Sequence, residues 1–443
     1  MSMSYGEFLA MLDAAGAAPA SGGTSAPRQK VIGFPSLWAT GGLRSERAVN
    51  VKVPVLFPFG AKNLRVSFLG NMNGAPNEPP LPNSYSVTGL VEYPPNNIHS
   101  PLLFGQSNTG VVIPDGELVS DEVFIDVKPG ETVTFRYFVT VAAGAKYPTS
   151  LLMWGQFAGS GVDYSGTQVD QTKNLAYAFP FTYEYAFCHT AVIGGTPDDK
   201  NVAVMGVGDS IMHGTGSNNL CEGWLGLIID KTFPFLNLGS PSDVGQYFQG
   251  AQARSRLRYT KHADVAVYSY GMNDFLQQKD ILLLYKAAIS VWTGFVRRGV
   301  KVFATTVPPS TTSTDSYMTT AKQTPTNPAF KAGTGAHWQW NTWLRDGAPM
   351  RGTLATGFTQ VATGTTGADV LRTGQTGHLL TYLIDIAAAL ETSPGSGIYR
   401  PNLNGATEGW YAFDGVHPTD IGCNSIAAEC GPALIAKLAS LKA

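Results

Sequence analysis

Ser210 is the first residue in this chain whose setting could do chemistry. It sits in Val202–Gly214, VAVMGVGDSIMHG. A serine hydroxyl becomes a nucleophile once a base takes its proton. The apolar run Val202 to Val207 has the length and composition of a buried strand. The break at Gly208-Asp209-Ser210, with Gly206 and Gly214 close by, presents the hydroxyl where the chain turns at a sheet edge. Taken alone, Gly-Asp-Ser is an ordinary turn. Of 7 histidines, His417 stands out as the base. It lies in Phe413-Asp414-Gly415-Val416-His417-Pro418-Thr419, ahead of the last helix. Asp414 can accept a hydrogen bond from one ring nitrogen, so that the other faces the serine, and can stabilise the imidazolium that forms. By itself this spacing is more often a loop or a helix cap. Ester hydrolysis also needs donors aimed at a developing oxyanion. The backbone N–H groups of Ser210 and Gly239 and the side-chain amide of Asn273 could supply three, and a glycine at 239 lets the chain approach closely. Singly, Gly239 reads as a turn glycine and Asn273 as a turn or cap residue.

These residues need elements that bring them together. After Asn201 the pattern alternates strand and helix. Val202–Val207 is a strand, Cys221 to Thr232 a helix, and Phe235–Leu238 a strand reaching Gly239. Ala263–Tyr270 is a strand ending at Gly271-Met272-Asn273-Asp274. Ile281 to Arg298 is a helix with Ile281, Leu284, Tyr285, Ala288, Val291, Trp292 and Phe295 on one face. Lys301–Val307 is a strand stopped by Pro308-Pro309. Trp338 to Leu344 is helical, Leu379–Leu390 holds an apolar segment, and Thr419 to Leu441 is a terminal helix bent at Gly431-Pro432. Alternation of this kind implies a parallel sheet covered on both faces, with functional residues at the carboxyl ends of its strands. Ser210, Gly239 and Asn273 each follow a predicted strand and should meet at one edge.

The front half reads differently. From Val31 to Gly194 short alternating runs are separated by Pro/Gly/Asn loops: Val49, Val51, Val53 and Val55; Leu64, Val66 and Phe68; Val133, Phe135, Tyr137 and Val139; and the aromatic run Ala176 to Phe187. This predicts an all-β sandwich. Aromatics exposed on it could bind sugar faces, although core packing accounts for most aromatics on strands. Gly194 to Lys200 reads as an interdomain linker. The expected division is 1–28 as a short amphipathic helix (Phe8, Leu9, Met11, Leu12) and a flexible Gly/Pro/Ser linker, 29–195 as the sandwich, and 196–443 as the catalytic domain.

Composition narrows the classes. With 44% hydrophobic and 14% charged residues the chain is neither disordered nor a coiled coil. A net charge of −2 offers no basic face for nucleic acid or anionic lipid. No run of about 18 apolar residues exists, so no membrane span is expected. Cys188, Cys221, Cys423 and Cys430 form no CxxC and have no histidine at zinc spacing, so no metal is expected. Cys423 and Cys430 could pair or stay free. The N-terminus lacks a basic signal region, which leaves the compartment unassigned and an extracellular or virion-associated role open. There is no GxSxG elbow, HExxH or Walker loop. Asp209 and Asp274 read as loop-holding carboxylates. His213 could line the pocket, and His262, His337 and His378 read as surface or structural. In the long region Ser310–Gly377, Trp338, Trp340 and Trp343 read either as helix packing or as a lid beside the serine. Asn341 and Arg345 are further candidates for the site.

Together the blocks Gly208-Asp209-Ser210 with Gly214, Asn237-Leu238-Gly239, Gly271-Met272-Asn273-Asp274 and Asp414-Gly415-Val416-His417 resemble the SGNH (GDSL-type) hydrolases, in the family's order. The resemblance covers about Asn201 to Ala443. It implies a three-layer flavodoxin-like α/β fold and acyl-ester hydrolysis without a cofactor. Ser210 would be the nucleophile, His417 the base and Asp414 its orienter, with Ser210, Gly239 and Asn273 as the oxyanion hole. A sandwich ahead of such a domain is similar to some carbohydrate acetylesterases, so a glycan O-acetyl ester is the first expected substrate. A lipid ester or thioester is the rival within catalysis. The rival outside it is a glycan-binding or phage-particle protein, attached to a larger assembly through its N-terminal segment, in which the hydrolase is secondary.

Overall fold

The computed structural model describes residues 29–31, 42–72, 78–149, 160–164, 169–180, 187–195, 201–217, 223–229, 232–248, 254–402, 411–412 and 414–442. The expected N-terminal helix and linker lie outside them.

In the front half the alternating valines do what their spacing requires. Strand β1 (Ala48–Phe57) turns Val49, Val51, Val53 and Val55 into a core, and β2 (Ala61–Leu69) adds Leu64, Val66 and Phe68. Strand β3 (Tyr85–Tyr93) and β4 (Glu131–Thr140) follow, β4 lying antiparallel between β1 and β3 with Val133 opposite Val55 and Tyr137 opposite Val51. A second antiparallel sheet pairs β2 with β5 (Ala191–Gly195). Side chains of both sheets fill one core. Strand β5 faces two ways: Val192 enters that core, whereas Ala191 and Ile193 belong to the core of the second half. Gly194 and Gly195, expected in a linker, are ladder residues of β5. The aromatic run expected as a strand from Ala176 is irregular as far as Pro180, and 181–186 lie outside the described residues. Proline has no N–H for a ladder, and Tyr177 instead donates to the Asp163 carboxylate.

The second half is an α/β unit around five parallel strands: β6 (Val204–Gly208), β7 (Phe235–Gly239), β8 (Val265–Ser269), β9 (Lys301–Thr305) and β10 (Leu380–Ile384). The order is β7-β6-β8-β9-β10. Its helices are α1 (Ser210–His213), α2 (Gly223–Ile229), α3 (Arg254–Leu257), α4 (Met272–Leu276), α5 (Ile281–Arg297), α6 (Ala336–Arg345), α7 (Ile386–Leu390) and α8 (Asp420–Ala439). Helix α5 starts where the Asp280 carboxylate accepts from the Leu282 N–H, and it buries the predicted face apart from Ile281, which is half-buried. The apolar segment 379–390 resolves into β10 and then α7. Helix α8 carries Pro432 in its interior. Cys423 and Cys430 are free thiols on this one helix. Seven residues span about 10 Å of helix, too far for a disulfide.

Two of the three tryptophans of 310–377 belong to the core. Trp340 and Trp343 are fully buried on one face of α6, stacked against Tyr285 and Trp292 of α5, with ring centroids 5.4 Å apart for Tyr285–Trp340 and 6.0 Å for Trp292–Trp343. Trp338, the third member of the expected lid, is half-buried beside Gly395. Asn341 and Arg345 are structural too. The Asn341 amide accepts from Val307 N and donates to Val307 O, both at 2.8 Å, and Arg345 pairs with Asp385 and Glu391. His337, one turn before Asn341, lies 2.7 Å by its Nε2 from the Val307 carbonyl. Burial pushes its imidazole down to about 4. Because the folded value lies below the unfolded one of about 6.5, the neutral ring's contribution is complete above pH ~6.5. It is lost as the pH falls toward 4. The stability of the wild type relative to His337→Gln should therefore drop by up to about 3 kcal/mol over that window. Urea unfolding at pH 7, 5.5 and 4.5 measures this, and a pH-independent difference would contradict it.

Candidate active site

Strand β6 is hydrogen-bonded on both sides, to β7 through Gly208↔Gly239 and to β8 through Gly208↔Ser269. The chain leaves it at Asp209, whose carboxylate accepts from the Ile211 N–H at 3.0 Å. Ser210 then opens α1. Its hydroxyl thus stands at the carboxyl end of a central strand, where strand order reverses and open α/β sheets form their crevice. Asp209 is buried, and burial raises its carboxyl to about 7. Asp274 is raised to about 6 for the same first reason and accepts from Gly245 N at 2.8 Å. Both carboxylates hold backbone, as their turn positions suggest.

His417 arrives from 207 residues away. Its Nε2 lies 2.8 Å from Ser210 Oγ, and its Nδ1 lies 2.6 Å from Asp414 Oδ2. An ionised carboxylate only accepts. Nδ1 therefore carries the hydrogen, and Nε2 keeps a lone pair for the serine hydroxyl. The second oxygen of Asp414 accepts from the backbone N–H groups of Val416 and His417, at 2.9 and 2.8 Å. Partial burial pushes the Asp414 carboxyl up, but the His417 ring and these amides outweigh it and hold it below its usual value. The loop is gripped from outside. Thr311 N donates to Gly415 O at 3.1 Å, and Tyr399 Oη donates to Val416 O at 3.1 Å. Thr311 belongs to a hairpin, Thr311–Ser313 with Gln323–Pro325, inside the long region that sequence reasoning left without a role.

The oxyanion candidates divide. Asn273 opens onto the same edge. Its Nδ2 donates one hydrogen to Asp243 O at 2.8 Å, leaving the other. Gly239 is close but turned away. Backbone amides alternate in direction along a strand, and the next one, Ser240 N, donates to Gly208 O of β6. The Gly239 N–H therefore points off the edge strand β7, where Asn237 Oδ1 accepts it at 2.9 Å. This corrects the expectation that it faces an oxyanion. Gly239 has a packing role instead: a Cβ there would stand 2.4 Å from His213 N. Asn237 completes the junction by donating from Nδ2 to Met212 O. Sequence reasoning passed over Ser242. It lies exposed in the turn that follows β7, at φ 64, next to the Asp243 carbonyl that Asn273 holds, and no acceptor among the described residues takes its N–H. The turn residues Ser240-Pro241-Ser242-Asp243 right after a strand tip were the available signal.

His213 is buried on α1, with its ring pushed down to about 4 by burial and then by nearby His417. His378 is bonded to backbone at Ala348 and Leu380. His262 lies 3.0 Å by its Nδ1 from Gln29 O. Among the described residues no group of three or more His, Cys, Asp or Glu side chains could hold a metal ion. No described helix is long and apolar enough to cross a membrane.

Gly415 has φ 75, and a Cβ there would come within 1.8 Å of Thr311 O. Gly415→Ala must displace the Asp414–His417 loop. If these side chains act on an ester through Ser210, its kcat on p-nitrophenyl acetate should fall at least about 10-fold, since a 1 Å misplacement can cost 10²-fold. An unchanged kcat would contradict this.

No family model matches the chain, and no curated protein matches its sequence. Solved structures do show similarity. A GDSL-like lipase from Bacteroides thetaiotaomicron VPI-5482 is 16% identical at TM-score 0.34, over 54% of this chain and 91% of that one. A carbohydrate esterase family 3 structure from Talaromyces cellulolyticus is 15% identical at TM-score 0.32, over 54% and 98%. A Bacillus subtilis protein, YXIM_BACsu, is 12% identical at TM-score 0.35, over 92% and 97%. At such identities and TM-scores these likenesses leave the function to the geometry of the site.

Proposed function

We propose that this chain is a serine ester hydrolase of the SGNH type. Residues 196–443 would be its three-layer, flavodoxin-like catalytic domain, and 29–195 a β-sandwich in front of it. The observation that carries the reading is the continuous line from Asp414 Oδ2 through His417 to Ser210 Oγ, with contacts of 2.6 and 2.8 Å. That line supplies what acyl transfer to a serine requires: a nucleophile, a base in reach of it, and a carboxylate that fixes the base.

In this reading Ser210 Oγ attacks the ester carbonyl while His417 takes its proton. The tetrahedral oxyanion receives hydrogen bonds from the Ser210 N–H, the remaining Asn273 Nδ2 hydrogen and the Ser242 N–H, which takes the place first expected of Gly239. Collapse expels the alcohol, which receives the proton held by His417. Water activated by the same ring then attacks the acyl-enzyme, and the acid leaves.

The proton must reach the leaving alcohol through His417, whose side chain is 21% exposed, whereas Ser210 is 6% exposed. A bulky alcohol can therefore lie over the ring edge. Among acyl esters, an ester of a glycan, an O-acetyl ester first, is the substrate class we propose ahead of a lipid ester or thioester. Ser210→Ala is expected to lower kcat on p-nitrophenyl acetate by about 10³-fold or more. The wild type is expected to release acetate from an acetylated polysaccharide and to prefer p-nitrophenyl acetate over the laurate ester. Undiminished turnover in Ser210→Ala would overturn the esterase reading. A preference for laurate would overturn the glycan ester.

A further inference from the structure

The two halves are joined by an ionic chain that ends on the oxyanion side of the site. Glu78 belongs to the connection between β2 and β3, in the antiparallel half, and its carboxylate enters the other half. One oxygen lies 2.5 Å from Arg256 Nε. The other accepts from the Ser255 N–H at 3.0 Å and the Arg256 N–H at 3.4 Å. Asn71 fixes the Glu78 backbone from behind, through Nδ2 to Glu78 O at 3.1 Å. Arg256, in α3, passes the constraint on. Its Nη2 donates to Asp243 Oδ2 at 2.6 Å, and its Nη1 donates to Tyr270 Oη at 2.8 Å and to Leu238 O at 3.4 Å. Tyr270 Oη donates to the same Asp243 oxygen at 2.8 Å. The carbonyl of Asp243 accepts from Asn273 Nδ2. The three charged side chains are each no more than 3% exposed.

We infer that Glu78 is a positioning residue for the oxyanion donors, so that the antiparallel half is part of the hydrolytic apparatus. The inference rests on the esterase reading above and goes beyond it. Asp243 is the shared anchor: it neighbours Ser242 and holds the Asn273 amide. Arg256 fixes Asp243 and, through Leu238, the end of β7. Glu78 takes the Nε donor of this guanidinium and the backbone N–H of Arg256, while Asp243 takes Nη2, so the position of the group that Asp243 meets depends on Glu78 as well. Between buried groups such charge-assisted bonds set a position firmly, and small displacements of oxyanion donors are costly.

The test uses the full chain and p-nitrophenyl acetate, with kcat taken per folded molecule and the melting temperature recorded for each variant. Glu78→Gln keeps the shape and removes the charge. Its kcat should fall about 10- to 100-fold, with KM within about twofold. Glu78→Asp keeps the charge and should lose less, and it carries the same test if the Gln variant does not fold. Ser67→Ala is the control. Ser67 Oγ lies 2.8 Å from Tyr259 Oη, another buried contact between the halves, which leaves Asp243 untouched. It should keep the wild-type kcat even where its melting temperature falls. A Glu78→Gln kcat within twofold of wild type overturns the inference, as does an equal loss in Ser67→Ala. Absence of wild-type turnover on any ester instead overturns the esterase reading itself.

Discussion

A hydroxyl and an imidazole separated by 207 positions in the chain lie 2.8 Å apart, and the second half is arranged so that they do. The parallel sheet delivers Ser210 at the tip of β6. The helix that buries the last stretch of chain, α8, starts just after His417 and pins the loop from one side. The hairpin at Thr311 and the ring of Tyr399 pin it from the other. Asp414 then orients the ring through a bond that is short because its acceptor is charged. A histidine on a free loop would sample many orientations and face the serine in few of them.

The side of the site that holds Asn273 depends on a different constraint. The parallel sheet alone does not place Asn273, because its amide is held by a carbonyl in the turn after β7. That turn is anchored by Arg256, and Arg256 is shared between a carboxylate of its own half and one from the front half. Buried charges of this kind are costly unless every lone pair is matched. Here the Glu78 oxygens receive two backbone amides besides the guanidinium, and Asp243 receives Tyr270 and the Val244 N–H. Strand β5, which feeds both cores, fits the same picture of halves that share structure.

What the sequence made legible follows from range. Strands and helices with clean periods, such as the valines of β1 and the apolar face of α5, are local and could be read. Asp414 and His417 share one short turn, so their mutual contact was also readable. The direction of the Gly239 N–H was not, because it depends on β7 lying at the sheet edge with β6 on one side only. The run Ala176 to Pro180 has the alternation of a strand, and tertiary bonds such as Tyr177 to Asp163 decided otherwise. Trp340 and Trp343 on one helix face read as packing ahead of a lid, and α5 supplies their partners. The pairing of Glu78 with Arg256 spans 178 positions between two halves of different architecture, and no local pattern carries it.

The central claim is that one hydroxyl in this protein is chemically unlike all its other serines. Reaction of the intact chain with a fluorophosphonate, followed by peptide mass mapping, tests it most directly. The account predicts a single stoichiometric adduct on Ser210, lost when His417 is replaced by alanine. An adduct on another residue, or none under conditions that label a known serine esterase, would contradict it.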